Sequence, residues 1–247
     1  MKERELTGKV VLVTGAGSGL GEATARAFAQ AGCMVACLDI NQAAVERVCH
    51  DLEAQDARCI ALRCDVSSAE GVFAAVETVS RQLGRLDIVV NCAAIDHTLP
   101  VSEMSVEQWD QVININLRGP FLFAKAALSL MRRQRSGHII NIASTAAVRA
   151  WANASAYHAS KWGIVGFSRG LSVEGREHGI RVTTIIPGGM RTHFFDRFVD
   201  QGIPLPEQEN LQDPANVASA IVFAARMPAE SAVQEMIVTP VTETSWP

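Results

Sequence analysis

The chain contains a single tyrosine, Tyr157, and Lys161 stands four positions after it. On a helix, residues four apart share a face, so a phenol and an ammonium would lie side by side. A cation there favours the phenolate and draws its ordinary pKa of ~10 toward neutrality. That suits proton exchange with the oxygen of an alcohol–ketone pair. The plainer alternative is a packing tyrosine beside a solvated lysine, and the pair alone does not separate the two. A second constellation lies near the start, where Thr14-Gly15-Ala16-Gly17-Ser18-Gly19-Leu20-Gly21 follows an apolar run and opens onto the helical pattern Glu22–Gln30. Glycines there permit a tight turn, close approach of a pyrophosphate and tight strand–helix packing. The helix N-terminus meanwhile turns unpaired N–H groups to the phosphates. Thr14, Gly15, Gly19 and Gly21 form the framework, and Gly17 reads as an extra. Asp39 stands 18 residues beyond Gly21, at the end of the next apolar run. A carboxylate at that place accepts from the adenosine ribose hydroxyls and repels a 2′-phosphate. No Arg or Lys stands in Ala16–Leu20, so the pattern predicts NAD rather than NADP.

These groups need a frame, and the hydrophobic pattern supplies one. Lys9–Thr14, Met34–Asp39, Ala57–Cys64, Leu86–Asn91, His138–Ala143 and Ile180–Ile186 read as buried strands, and Glu235–Pro240 adds a last one. Helical segments with start signals lie between them. Asn41 precedes an apolar face of Ala44, Val45, Val48 and Leu52, Ser105 with Gln108 forms a capping box, and Asp213-Pro214 opens a helix through Val217, Ile221 and Ala225. Strict β–α alternation predicts right-handed crossovers and a parallel sheet with helices on both faces. The expected fold is therefore α/β: one doubly wound, Rossmann-like domain over 1–247 with about seven strands.

Composition narrows the partners. The 247 residues are 48% hydrophobic and 19% charged, enough for a large core, and the formal net charge is −4. That balance argues against nucleic acid or an anionic membrane as partner. The cluster Arg132, Arg133, Arg135 reads as the solvated end of a helix. Met1–Lys9 lacks an apolar core, so no secretory signal is expected, and Lys125 and Arg132 interrupt the best apolar run, Phe121–Met131. The six cysteines (Cys33, Cys37, Cys49, Cys59, Cys64, Cys92) show no paired CxxC, and the histidines no ligand spacing. Buried free thiols in a reducing cytoplasm are expected, with neither disulfides nor a metal site.

Taken in order, these motifs resemble the short-chain dehydrogenase/reductase family over nearly the whole chain. TGxxxGxG stands as Thr14–Gly21, the acidic pair after the third strand as Asp65-Val66, and the NNAG element as Asn91-Cys92-Ala93-Ala94. The family asparagine matches Asn116, its serine Ser144, its YxxxK pair Tyr157 and Lys161, and its PGxxxT element Pro187–Thr192. The resemblance implies that Tyr157 exchanges the proton, Ser144 holds the substrate oxygen, Lys161 binds the nicotinamide ribose, and Asn116 fixes a water in the proton path. It implies that NAD lies along Gly15, Ser18, Gly19 and Leu20, with Asp39 and Ile40 at the ribose and Asp65 and Val66 near the adenine. Asn91, Ala93, Tyr157 and Lys161 would follow, and Pro187, Gly188, Met190 and Thr192 would meet the nicotinamide end. It also implies a homo-oligomer, tetramer or dimer, built on helices spanning roughly 116–135 and 155–178.

Two departures stand out. Cys92 and Ala94 replace the second asparagine and the glycine of NNAG, and the glycine-rich C-terminal element gives way to Glu235–Pro247 with Trp246. The substrate side is expected from 93–97, 145–151 and a lid at 189–211 that carries Met190, His193, Phe194, Phe195 and Phe198. Trp151 and a phenylalanine are candidate walls. Asp96, His97, Arg149 and His193 read either as partners for a polar substrate or as solvated charges. The reading is an NAD-dependent oxidoreductase of a secondary alcohol or its ketone. The alternatives are a 3-oxoacyl-thioester reductase and a non-catalytic NAD-responsive binding protein.

Overall fold

The computed structural model describes residues 5–243. Its strands are β1 (Val10–Thr14), β2 (Met34–Asp39), β3 (Cys59–Arg63), β4 (Ile88–Asn91), β5 (Gly137–Ile142), β6 (Ile180–Pro187) and β7 (Glu235–Val238). All pair in parallel in the order β3-β2-β1-β4-β5-β6-β7. Helices α1 (Gly19–Gln30), α2 (Gln42–Glu53) and α3 (Ala69–Leu83) follow the first three strands. Next come α4 (Val106–Ile113), α5 (Gly119–Gln134), α6 (Ser155–Gly175), the short α7 (Asp196–Asp200) and α8 (Pro214–Arg226). Alternate residues of each strand point to opposite faces. Val11 and Val13 therefore pack in one layer with Phe28, Val45 and Ile221 of α1, α2 and α8. Val10 and Leu12 pack in the other with Val76, Phe123 and Leu171 of α3, α5 and α6. Burial on both faces is why the strands read as unbroken apolar runs.

The start signals are used as the sequence predicts. Asn41 caps α2, Ser105 and Gln108 form a reciprocal capping box on α4, and Asp213 accepts from Ala215 N–H at the head of α8. Two boundaries differ. β4 begins at Ile88, with Asp87 at its mouth: Asp87 N–H donates to Val10 O and Asp87 O accepts His138 N–H, each at 2.9 Å, while its carboxylate accepts from Arg85 at 2.6 Å and from Val10 N–H at 3.0 Å. The helix expected from 116 opens instead as a π-helical turn, Asn114–Arg118, before α5 begins.

The cysteine expectation needs correction. Cys49 of α2 and Cys59 of β3 are joined as a disulfide, with Cα atoms 5.5 Å apart. Their partnership is set by α2 lying on the β2–β3 edge, which sequence spacing does not show. Cys37 Sγ is 3.6 Å from Cys59 Sγ, so three buried sulfurs meet at that edge. Cys33, Cys37 and Cys64 are buried free thiols, and burial pushes the first two up to about 12.

The lid segment leaves the sheet after β6 and returns beside its own start. Met190 bridges Gln212 in parallel, Arg191 N–H donates to Gln212 O at 2.9 Å, and Gln212 N–H to Gly189 O at 3.0 Å. Beyond β7 the chain turns back, and Glu243 pairs with Arg149 at 3.1 Å. Trp246 lies outside the described residues.

Candidate active site

The carboxyl ends of the parallel strands open into a cavity of about 460 Å³. At one end, Gly15 has φ +66°, and a Cβ there would come within 2.9 Å of Ala93 Cα. Thr14 Oγ1 accepts the N–H groups of Cys92 and Ala93, each at 3.1 Å, which holds β1's loop against β4's. A Cβ on Gly21 would stand 2.0 Å from Gly15 O, so α1 packs on the turn only because that position is bare.

Gly17 is no extra. Its N–H donates to Asp39 Oδ2 at 3.1 Å, while Asn41 N–H donates to Oδ1 at 3.0 Å. Arg47 reaches the same corner from α2, donating to Gly17 O at 3.0 Å and pairing with Glu22 at 2.6 Å. Sequence reasoning missed Arg47 because it enters the glycine loop from a different helix.

At the other end, α6 carries Tyr157 and Lys161 on one buried face. Ser144, two residues beyond β5, lines the cavity with Tyr157, and its hydroxyl acts on the phenol. Lys161 Nζ donates to Ile142 O at 2.8 Å and lies 5.4 Å from the Tyr157 ring centroid. Burial draws Lys161 down to about 8. The phenol does not follow the expectation of a lowered pKa. Burial pushes it up, the Ser144 hydroxyl opposes that, and Asp96 raises it while Arg197 lowers it. A desolvated phenol resists ionisation, and Lys161 has turned its ammonium to a carbonyl.

Asn116 lies in the π-helical turn. Its Nδ2 donates to Ile95 O at 2.8 Å and to Ser160 Oγ at 3.1 Å, and its Oδ1 accepts Ile95 N–H at 2.9 Å. Ser160, which the sequence did not single out, thus links Asn116 to α6. Asn91 stands one layer deeper than the cavity, donating to Asn141 Oδ1 at 2.7 Å. The remaining expected residues line the cavity: Ser18, Gly19, Leu20, Asp39 and Ile40, then Asp65, Val66 and Ala93, then Pro187, Gly188, Met190 and Thr192. Ala94, Trp151, Phe194 and Phe195 wall the side beyond Tyr157.

The loop charges are not simply solvated. Asp96 pairs with Arg197 at 2.9 Å and Arg149 with Glu243, whereas His97 bonds Gln111 and exposed His193 bonds Asp196. A bare glycine corner, a ribose-height carboxylate and a Ser–Tyr–Lys cluster along one cleft fit a nicotinamide dinucleotide.

The family model "short chain dehydrogenase" matches residues 9–201. This chain belongs to that family. It is 41% identical over 182 residues to a D-threitol dehydrogenase of Mycolicibacterium smegmatis, covering 74% of this chain and 70% of the relative. Among solved structures, levodione reductase superposes with a TM-score of 0.88 at 29% identity, over 97% of this chain and 99% of that one. A metagenomic short-chain oxidoreductase in complex with NADP gives 0.84 at 29% identity, over 96% and 98%. The short-chain dehydrogenase described here is accordingly an oxidoreductase with a nicotinamide-dinucleotide fold, and among its described residues no helix is long and apolar enough to cross a membrane.

Proposed function

We propose that this short-chain dehydrogenase interconverts a secondary alcohol and its ketone with NAD, using Tyr157 as general acid/base. The observation that carries this reading is that Ser144, Tyr157 and Lys161 line the same cavity, with Tyr157 and Lys161 on one buried face of α6. In reduction, the Tyr157 phenol gives its proton to the ketone oxygen as the hydride arrives; in oxidation, the phenolate left once that proton has passed to solvent takes it back from the substrate hydroxyl, and in both directions Ser144 donates to the same oxygen as its charge changes. When bound, the nicotinamide supplies the two-electron chemistry by accepting or returning the hydride. Lys161 would hold the nicotinamide ribose, and its ammonium tunes the phenol from there. Asn116 anchors the Ile95 loop to α6 beside these groups, where we place the water of the proton path.

NAD rather than NADP is favoured by Asp39, whose carboxylate repels a 2′-phosphate, and by Arg47, whose guanidinium is already spent on Glu22 and Gly17 O. The D-threitol relative puts small polyols first among substrates to try. A cytoplasmic setting suits the four free cysteines among the described residues. Exposed Phe121 on α5 and Trp162 and Val173 on α6 support a homo-oligomer on these helices.

The test is turnover of secondary alcohols and ketones with NAD and NADP, in wild type and Tyr157→Phe. Loss of turnover in Tyr157→Phe with dinucleotide binding retained supports the reading. Faster reduction of a 3-oxoacyl thioester than of simple ketones would instead select the thioester reductase.

A further inference from the structure

Residues 238–243, where the glycine-rich C-terminal element is replaced, touch three separate segments that frame the substrate side. Val238 O accepts Gly188 N–H at 2.9 Å and Gln212 Nε2 at 2.8 Å. Thr239 and Pro240 lie against Gly188, where a Cβ would stand 3.2 Å from Thr239 Cγ2 and 3.0 Å from Pro240 Cδ. Thr242 Oγ1 donates to Glu209 O at 2.6 Å, near the returning end of the lid. Glu243 then accepts from Arg149 on both carboxylate oxygens, Nη1 to Oε1 at 3.2 Å and Nη2 to Oε2 at 3.1 Å. Of these contacts, the ion pair alone reaches the β5 side.

Arg149 belongs to the segment that leaves β5 through Ser144. Its N–H donates to Thr145 O at 3.1 Å, and Ala146 N–H donates to Ser144 Oγ at 3.1 Å. Its guanidinium lies 5.6 Å from the Trp151 ring centroid. Ser144, Thr145 and Trp151 line the cavity, and so does Gly188. Arg149 therefore stands behind the wall that carries the reacting groups. Its side chain is 23% exposed and that of Glu243 only 12%. A two-bond fork between planar groups fixes direction as well as distance, which a single point-charge contact does not.

We propose that Glu243 and Arg149 are positioning residues: strap 238–243 ties the β6 turn and the lid to the loop that starts at Ser144, and the ion pair sets that loop so that one substrate oxygen meets Ser144 and Tyr157 together. This rests on the alcohol–ketone reading for the reaction being served. Neither residue touches substrate or dinucleotide. Reaction rates are steep in such placement, because a shift of an ångström takes a reacting group out of line.

The experiment follows Glu243→Gln, Arg149→Gln and the double variant Arg149→Gln/Glu243→Gln. Each single change should lower kcat for the best secondary alcohol about tenfold with NADH affinity unchanged. The double variant should be no worse than either single one, because all three lose the same pair. A pair that only supported the fold would lower Tm and leave kcat of the folded protein at the wild-type value. That result overturns the proposal, as do losses that add in the double variant. Hydrogen–deuterium exchange of the NADH-bound protein reads the strap without turnover. In Glu243→Gln, amides of 145–151 should exchange faster, while those of 10–30 keep wild-type rates. Faster exchange at 145–151 in a protein whose wild type turns over neither alcohol nor ketone would keep the strap's hold on the loop and remove the oxidoreductase reading. Unchanged exchange at 145–151 would remove the strap.

Discussion

The backbone N–H of Gly17 donates to Oδ2 of Asp39 at 3.1 Å, so the glycine loop and the acid at the end of β2 form one preorganised corner. Arg47 closes it from α2. A dinucleotide entering this corner meets a carboxylate whose direction is already set, which lowers the cost of binding.

Gly17→Ala should therefore act on cofactor affinity. Its Cβ would stand 2.8 Å from Ala44 Cβ and 3.0 Å from Asp39 Oδ2, displacing the carboxylate. We expect NADH affinity to fall about tenfold, ~1.4 kcal/mol, with the fold retained. Asp39→Ala should cost a similar amount and raise relative NADPH affinity. Fluorescence titration with both reduced dinucleotides measures each. Unchanged NADH binding in Gly17→Ala would disconnect the corner from the cofactor.

Tyr157→Phe should lower kcat by about a thousandfold, within the range for loss of a general acid/base, and leave NAD binding near wild type. Because the chain has one tyrosine, tyrosinate absorbance reports this group alone once a Tyr157→Phe background is subtracted. In the protein by itself the phenol should ionise above its ordinary ~10, as burial dictates. Adding NAD, whose nicotinamide carries a positive charge, should move the transition down. A titration that NAD leaves unmoved would place Tyr157 away from the nicotinamide.

Lys161 carries a burial cost with a defined pH window. Its pKa falls from 10.5 in the unfolded chain to about 8 in the folded one. Between those values the unfolded chain still holds a proton that the folded chain has released, so this group makes stability rise with pH. Below about 8 the cost is complete. Lys161→Met should abolish turnover yet raise Tm at pH 7 by about 5 °C. That gain should shrink as pH rises toward 10.5. Comparing the variant with wild type at each pH cancels the thiols, which titrate alike in both. A constant difference would show that Lys161 is not held uncomfortably in the core.

The Cys49–Cys59 bridge closes a loop over a sequence separation of 10, so reduction should lower unfolding free energy by about 2 kcal/mol. Urea unfolding with and without dithiothreitol measures this, and Cys49→Ser should be insensitive to the reductant. Peptide mapping of unreduced, alkylated protein shows directly whether the two are joined.

The sheet is legible because β1, β2, β4, β5 and β6 are buried along both faces and so read as largely apolar runs between capped helices, and β3 at the edge still keeps Cys-Ile-Ala-Leu. The site's skeleton was legible for a related reason. Gly15, Gly21, Tyr157 and Lys161 work through short spacings, and short spacings survive in a one-dimensional record. What escaped is long-range. Asp96 meets Arg197, and Arg149 meets Glu243, across separations of 101 and 94 residues. Cys49 meets Cys59 only because a helix folds onto a sheet edge. The role of Gly17 depends on Asp39, 22 residues further along, accepting its N–H. The phenol's raised pKa is hidden for a related reason: proximity of Lys161 is written in the spacing, whereas desolvation and the pull of the Ile142 carbonyl are not.

The paired neck at Met190 and Gln212 has an evolutionary consequence. It seals the sheet from whatever is strung between those two residues, because the ends of that stretch are already held side by side. Lengthening or exchanging such a stretch costs entropy only as the logarithm of its length. The stretch that carries Phe194 and Arg197 can therefore change in length and sequence beyond Thr192 at little entropic cost. A descendant could acquire a new appetite by rewriting it while inheriting the proton-handling residues unchanged. Grafting a relative's segment between Thr192 and Gln212 is the natural way to redirect this scaffold.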